Sequence, residues 1–542
     1  MSRREAVVSA GLVFAVAIVA RAVAASVVVF PKPEDTAYYV DVAKNLITGR
    51  GLITDALWSY QTPPLMVPRE AFEVWLPLPT FLAAIPMALF GATFAAAQLS
   101  SIVVGAIVPV LAWRLGADIA KVRLLPIGRA RTLAVGSGLT AAVSLPLLLH
   151  STLPDSTMPF AVLTLSACLL MTRIRGREAS LRRLRDPLLI GLGIILGLAA
   201  LTRNEAVWLA LVWAILAWRT PATSRRDRLM LIAVPAVVAI AIFAPWAIRD
   251  WVVFGNPLPG QALANALSVQ GTDVFAWSDP PTLSRYLAQG PARILEARVV
   301  GAQHNLFDVL LLPGAPLSFI GLIALPWFAT VVPLRPLVLV TVLTFLGTSL
   351  VFPVATTWGT FLHAAAATHV LLIVSALLAL DAVIAFAHRR RGWTKPVAWL
   401  APTLTIAGAL LFSVQLFPSF GGGSSATATQ FESLDRQMTA AGMPLGEIGP
   451  VITDFPIWLA YTSEGEGLAL PVEPPESVLD LARHFPGTRT MILMGGNALW
   501  PAVLETGAPG AECFDEVDIG TPDDPGLARA LAGTRVFRLV CE

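Results

Sequence analysis

The sequence predicts a mainly α-helical membrane protein, a polytopic bundle of about 11 transmembrane helices followed by a small extracytoplasmic α/β domain. Three observations carry that expectation. Of 542 residues, 56% are hydrophobic and only 14% charged, with a mean hydropathy of +0.70, whereas a soluble domain carries about 25% charged residues. Apolar runs of spanning length recur up to about residue 416. Beyond them a Gly/Ser stretch opens a polar segment with strand-like and helix-like patterns.

The apolar runs fall at residues 6–30, 94–115, 132–150, 158–172, 187–202, 205–219, 229–248, 315–333, 336–353, 362–386 and 396–416. If the first enters from the cytoplasm, alternation puts Arg114, Lys121, Arg123, Arg129 and Arg131 inside. The cluster Arg173 to Arg185, then Arg225, Arg226 and Arg228, Arg335, and finally Arg389, Arg390, Arg391 and Lys395 fall on the same side. An odd number of spans then leaves the N-terminus inside and the segment after residue 417 outside. The opening MSRREAVVSAGLVFAVAIVARAVAAS also has the shape of a cleavable signal peptide and is read here as an uncleaved first span. The stretch VWLPLPTFLAAIPMALFG, residues 74–91, would break the charge alternation if it spanned, so it is read as interfacial or re-entrant.

Residues 31–93 form a first outer loop with juxtamembrane helices, too long for a simple turn. Residues 417–430, including GGGSSATATQ, read as a flexible linker, and 431–542 as the α/β domain, with strand-like GPVITDF, RTMILMGG and TRVFRLVCE around helix-like ESVLDLARHF. Cys168 lies in an apolar run, while Cys513 and Cys541 fall in the polar region, where one disulfide between them is open. A net charge of +2 and basic residues confined to short clusters exclude a nucleic-acid binder.

Ionisable groups at the outer ends of spans are candidates for chemistry, because a charge near hydrocarbon is paired, near the surface or functional. The first outer loop opens PEDTAYYVDVAKNLITGRG, with Asp35 after a restricted Lys-Pro-Glu segment and an amphipathic helix behind it. HSTLPDSTMPF puts Asp155 on a short second turn. LTRNEAVW holds Arg203 and Glu205, PWAIRDWVVFGNPLP holds Arg249 and Asp250, and TTWGTFLHAAAATH holds His363. Two carboxylates and two arginines at one mouth suit a site that positions a hydroxyl nucleophile and neutralises a departing phosphate. Each also has a plain structural reading. Asp35 could cap a helix starting near Ala37, Asp155 one starting at Ser156. Arg203 and Glu205 could simply pair, Arg249 could snorkel beside Trp246 and Trp251, and Arg21, inside the first span, could snorkel to the headgroups or face the site, with snorkelling the preferred reading. GLGIILG, residues 191–197, sits within an apolar helix and is read as a close-packing surface, not a dinucleotide loop.

Taken together, these residues resemble the GT-C membrane glycosyltransferases, in the branch of protein O-mannosyltransferases, aminoarabinose transferases and bacterial dolichyl-phosphate-mannose-type mannosyltransferases. Asp35, Tyr38, Tyr39, Asn45, Gly49 and Gly51 match the opening of that family's first outer loop; Asp155 matches its second-turn acid. Gly197, Leu198, Leu201, Thr202, Arg203 and Glu205 match GLxxLTRxE, and Pro245, Trp246, Arg249 and Asp250 match PWxxRN. Thr36 departs from the common Glu, Asp250 from the Asn, and the proline-rich element EVWLPLPTF carries Glu73 but no adjacent basic residue.

The resemblance implies direct, inverting transfer of a sugar from a polyprenyl-phosphate donor to an acceptor lipid, glycan or protein on the outer face, within membrane lipid. It makes Asp35 and Asp155 catalytic, with Asp35 as base or orienter of the acceptor hydroxyl, and Tyr38, Tyr39, Glu73, Arg203, Glu205, Arg249 and His363 substrate-binding. Whether Asp155 supports Asp35 or binds a divalent metal stays open, and no other cofactor is implied. Two other readings compete: a transporter or flippase whose outer charges line a vestibule, and a non-catalytic member of the same fold.

Overall fold

The chain enters its first helix through a capping box. Ser2 Oγ accepts from the Glu5 N–H and the Glu5 carboxylate accepts from the Ser2 N–H, satisfying donors that a helix start leaves free. The structure, a computed structural model, describes residues 2–175, 186–220, 224–392, 397–496 and 499–541. Arg177, Arg182, Arg183, Arg185 and Lys395 of the basic clusters lie outside them.

Helix α1 (Arg3–Ala25) leads into the first outer loop, which contains α2 (Glu34–Ile47), β1 (Ile53–Thr54), β2 (Ala56–Leu57), β3 (Arg69–Glu70) and α3 (Leu78–Phe90). The bundle continues with α4 (Phe94–Val122), α5 (Ile127–Val143), α6 (Leu145–His150), α7 (Thr157–Arg175), α8 (Pro187–Ala200), α9 (Ala206–Trp218) and α10 (Arg225–Phe254). Three helices, α11 (Ala262–Leu267), α12 (Leu283–Ala288) and α13 (Gly290–Gln303), lead to a π-helical turn at His304–Leu311. The last membrane part comprises α14 (Leu317–Phe328), α15 (Arg335–Leu350), α16 (Thr360–Ala364), α17 (Ala366–Arg390) and α18 (Leu400–Ala440).

Among the described residues, α1, α4, α7, α10, α17 and α18 are long and apolar enough to cross a membrane, and α3, α8, α9, α14 and α15 are shorter apolar helices. The chain is an integral membrane helix bundle. Each predicted run overlaps helix among the described residues, although the run at 132–150 is divided between α5 and α6 and that at 362–386 between α16 and α17. The stretch at 74–91 forms the 13-residue α3. In the 191–197 segment a Cβ on Gly193 would meet Pro235 O at 2.8 Å, and one on Gly197 would meet Ala239 O at 3.0 Å, so these glycines let α8 press onto α10 as expected.

The Gly/Ser segment expected to be a flexible linker is instead continuous helix within the 41-residue α18. The reason is close packing. A Cβ on Gly421 would meet Val27 O at 3.0 Å. Ser424 Oγ accepts from the N–H groups of Val29 and Phe30 at 3.1 and 2.8 Å and donates to Phe30 O at 3.1 Å. Small residues here admit the chain leaving α1, and the neighbouring helix turns offset their poor propensity.

The C-terminal region is a small α/β unit whose strands are β4 (Val451–Thr453), β5 (Gly467–Ala469), β6 (Thr490–Leu493), β7 (Phe514–Val517) and β8 (Arg535–Leu539). The sheet order is β2-β5-β4-β6-β8-β7, parallel as far as β6 and antiparallel beyond it. Its first strand, β2, comes from the first outer loop, so the sheet joins two parts that the sequence places far apart. Cys513 and Cys541 form a disulfide across this unit. Helix α19 (Pro456–Ser463) packs on α2. Trp458 Nε1 donates to Pro31 O at 3.0 Å, the Ile457 N–H to Glu34 Oε1 at 3.1 Å, and Lys44 pairs with Glu464 at 2.6 Å.

With β2, Glu34 and Lys44 all held by this unit, a chain ending at Ala440 is expected to insert but leave its first outer loop open. Limited proteolysis of such a truncation should cut between residues 48 and 68, where the full chain resists. Equal resistance of both would show that the loop folds without the domain.

Candidate active site

Asp35 stands in the first turn of α2, whose N-cap is Pro33 and has no side-chain cap. It is therefore not the cap of a later helix, and its carboxylate remains available. Oδ1 accepts from the Thr36 N–H at 2.8 Å, while Oδ2 lies 3.0 Å from His363 Nε2. The other ring nitrogen of His363 lies 2.8 Å from Thr157 Oγ1 and 3.6 Å from Asp155 Oδ2. Asp155 does cap a helix, although one that starts at Thr157: Oδ1 accepts from the Thr157 N–H at 2.7 Å. Its second oxygen lies 3.5 Å from Nδ1 of His150, the last residue of α6. Asp35, His363, Asp155 and His150 thus form one row.

Sequence reasoning missed His150. It begins the quoted second turn, but five residues from Asp155 it looks like a helix end and not a partner. The row is held from behind. Thr356 Oγ1 donates to Asn305 Oδ1 at 2.8 Å, and Asn305 Nδ2 donates to Thr348 and Ser349 at 3.2 and 2.9 Å, anchoring the turn that precedes α16. Gly359 has φ +111° and faces the His363 ring at 3.2 Å from an added Cβ, so a side chain there would be strained and would crowd the imidazole. Arg203 makes the expected pair with Glu205, at 3.0 and 2.8 Å, and also donates to Ser156 Oγ at 2.8 Å and Thr360 O at 3.1 Å. It locks the turn bearing Asp155 to the helix bearing His363.

A second cluster lies on the other side of the adjoining rings of Tyr38 and Tyr39, whose centroids are 6.1 Å apart. Arg249 donates to Ala71 O at 2.8 Å, Glu70 at 2.7 Å and Asp250 at 3.1 Å, and its guanidinium lies 4.8 Å from the Trp246 ring. It does not reach out to headgroups as a snorkelling arginine would. Glu73, buried, lies 3.8 Å from Arg69, which is 5.7 Å from the Phe254 ring that Arg249 also approaches at 5.5 Å. The proline-rich element therefore does have a cation, Arg69, supplied from β3 one turn earlier. An i,i+4 spacing across a loop gave the sequence reading no reason to pair them.

The electrostatics follow from this packing. Burial pushes the His363 imidazole down, but the charge of Asp35 and hydrogen bonding to Asp155 and Asp35 more than reverse it, raising it to about 10. At neutral pH it is a cation between two carboxylates. Burial pushes the Asp155 carboxyl up, yet the imidazoles of His150 and His363 hold it below the usual carboxylate range. The Tyr39 hydroxyl is raised by burial and then by the charge of Asp35, so it stays a neutral donor. Glu34 is pushed up to about 8 by removal from water, against hydrogen bonds from the Ile457 and Trp458 backbone.

His150, Asp155 and His363 offer ligand atoms that all lie within 4.8 Å of one another. His150 Nδ1 and Asp155 Oδ2 are buried without hydrogen-bond partners, so the donor set fits a divalent cation only once His363 gives up its proton.

No family model matches the sequence, and no curated protein does. Solved structures do match in fold. ArnT from Cupriavidus metallidurans bound to undecaprenyl phosphate aligns with TM-score 0.57 at 13% identity, over 97% of each chain. The oligosaccharyltransferase AglB from Archaeoglobus fulgidus, in complex with an inhibitory peptide and a dolichol-phosphate, aligns with TM-score 0.53 at 12% identity, over 93% of this chain and 72% of that one. The same oligosaccharyltransferase in complex with Zn and sulfate aligns with TM-score 0.51 at 14% identity, over 88% and 67%. The chain shares its fold with these membrane proteins.

One carboxyl near the site gives a pH test. Asp41, buried on α2, is pushed up to about 7 by burial and by the charge of Asp55, with Lys44 and Arg50 pulling the other way. The folded chain thus binds this proton more tightly than the unfolded one, and stability falls as pH rises from about 4 through 7, by up to about 1.4 kcal/mol per unit. Asp41→Asn removes that loss. Fluorescence-monitored melting should show a higher Tm than the parent at pH 8 and a much smaller difference at pH 5; a lower Tm for the variant at both would contradict the sign.

Proposed function

We propose that this chain is a membrane glycosyltransferase that moves a sugar from a polyprenyl-phosphate carrier to an acceptor at the outer face of the membrane. The single observation that supports it most is the contact between Asp35 and His363 at 3.0 Å, which sets an acid from the first outer loop against a cation at the outer end of the bundle. The lipid-bound states of the two fold neighbours support the donor class. A carrier lipid diffuses within the bilayer, so its phosphate and sugar reach the protein at headgroup level, where the first outer loop and the ends of α6, α7 and α16 meet.

In this reading Asp35 accepts the proton of the acceptor hydroxyl as the new O–C bond forms on one face of the anomeric carbon. The C–O bond to the phosphate breaks on the other, and polyprenyl phosphate leaves. Inversion follows from that direct displacement. His363 fixes Asp35 in direction through the 3.0 Å contact. Arg203 is the cation beside this row, and Arg69 with Arg249 form a second cationic pair next to Glu73; both can offset charge on the departing phosphate. Tyr38 and Tyr39, buried and in edge contact with each other, lie between the two clusters. A divalent cation held by His150, Asp155 and a deprotonated His363 would replace the imidazolium charge and add Lewis-acid stabilisation of phosphate oxygen.

Orientation belongs to the same proposal. The basic loops support an N-terminus inside and a C-terminal unit outside, and the Cys513–Cys541 disulfide in that unit fits an oxidising compartment.

Asp35→Asn keeps size and hydrogen bonding but removes the base. It should insert and fold normally and lose transfer by about 100-fold or more in proteoliposomes supplied with polyprenyl-phosphate sugar. Full transfer by this variant would sink the assignment.

A further inference from the structure

Arg21 is wholly buried in α1 and makes no approach to the headgroups, so the snorkelling expectation is corrected, and the transfer reading gives the residue no part. Its partners lie at both ends of α6. Between α5 and α6 the backbone opens at Ser144 (φ −73°, ψ 131°), and Pro146 has no N–H to give the Ala142 carbonyl four residues earlier. Arg21 fills that place: Nη1 donates to Ala142 O at 3.1 Å, and also to Ala17 O at 3.3 Å. At the far end of α6, Nε donates to Ser151 Oγ at 3.0 Å. Ser151 directly follows His150, whose ring reaches Asp155.

Two further observations show that the arrangement is built. Ser413 Oγ donates at 2.6 Å to Val143 O, the next carbonyl at the break. On the opposite wall, a Cβ on Gly105 of α4 would come within 2.7 Å of Ser151 Cβ and 3.2 Å of Arg21 Nε, so this close approach requires glycine. Stability alone explains little of it. Nη2 is buried with no partner, and a cation inside an apolar bundle with an unsatisfied donor costs free energy that a methionine would not. What arginine has and methionine lacks is a rigid planar fork that can hold two points at once.

We propose that Arg21 is a positioning residue. It clamps the two ends of α6, and thereby fixes His150 against Asp155 and Asp155 against His363. This rests on reading that row as the active centre. In the molecule the clamp sets the entry and exit of a six-residue helix, so loss of either point lets His150 rotate away and Asp155 lose one of its two imidazoles.

The test pairs kinetics with a structure of the full chain in nanodiscs. Arg21→Met is expected to insert, to lower kcat roughly tenfold or more while leaving donor KM within about twofold, and to widen the His150–His363 ring separation from 5.8 Å. Arg21→Lys should restore part of kcat. A folded Arg21→Met with full kcat overturns the proposal, and so does a lost kcat with the 5.8 Å separation intact. If Arg21→Met does not accumulate, Ser151→Ala, which removes only the Nε acceptor, should lower kcat several-fold, and full kcat there overturns it. Should the unaltered chain transfer no sugar, the proposed function fails, while the ring separation in the variant still decides the role of Arg21.

Discussion

Two acidic side chains brought together away from water need a hydrogen-bonding partner set between them. Here His363 stands between Asp35 and Asp155, at 3.0 and 3.6 Å. Much of the outer architecture serves that contact. Asp35 arrives on a loop that is not part of the bundle, Asp155 on a turn between two helices, and His363 on a short helix ahead of α17. Each is fixed separately: Asp155 by the Thr157 N–H it caps, His363 by Gly359 and the Asn305 network, and the turn at Ser156 by Arg203.

The first outer loop could not hold Asp35 in place by its own short strands. It is secured by the C-terminal unit, which takes β2 as the edge strand of its sheet and places α19 against α2. Glu34, next to Asp35, accepts the Ile457 N–H from the start of α19. Position of the acid and folding of the distant domain are thus one problem, solved by α18 running unbroken from the bundle past the end of α1.

The bundle was legible because hydrophobic runs and basic loops report directly on the bilayer. Asp35, Asp155, Arg203 and His363 were legible because charges at span ends are few. What escaped was pairing across distance. Nothing in the sequence shows that His150 faces Asp155, that Arg69 answers Glu73 or that Arg21 turns inward, since each depends on how separate helices pack. The stretch around Gly421 failed in another way: glycine and serine read as flexibility, but the same small side chains allow helices and loops to touch, and the environment of Val27 and Phe30 decides which.

The central claim is that sugar transfer takes place at the row of Asp35, His363 and Asp155. Its most direct measurement is a cryo-electron microscopy structure of the full chain with a non-transferable polyprenyl-phosphonate sugar. The account predicts the phosphonate against Arg203 or the Arg69 and Arg249 pair, with the anomeric carbon open on the side facing Asp35. An analogue bound elsewhere on the bundle, leaving this row without sugar or phosphonate, would contradict it.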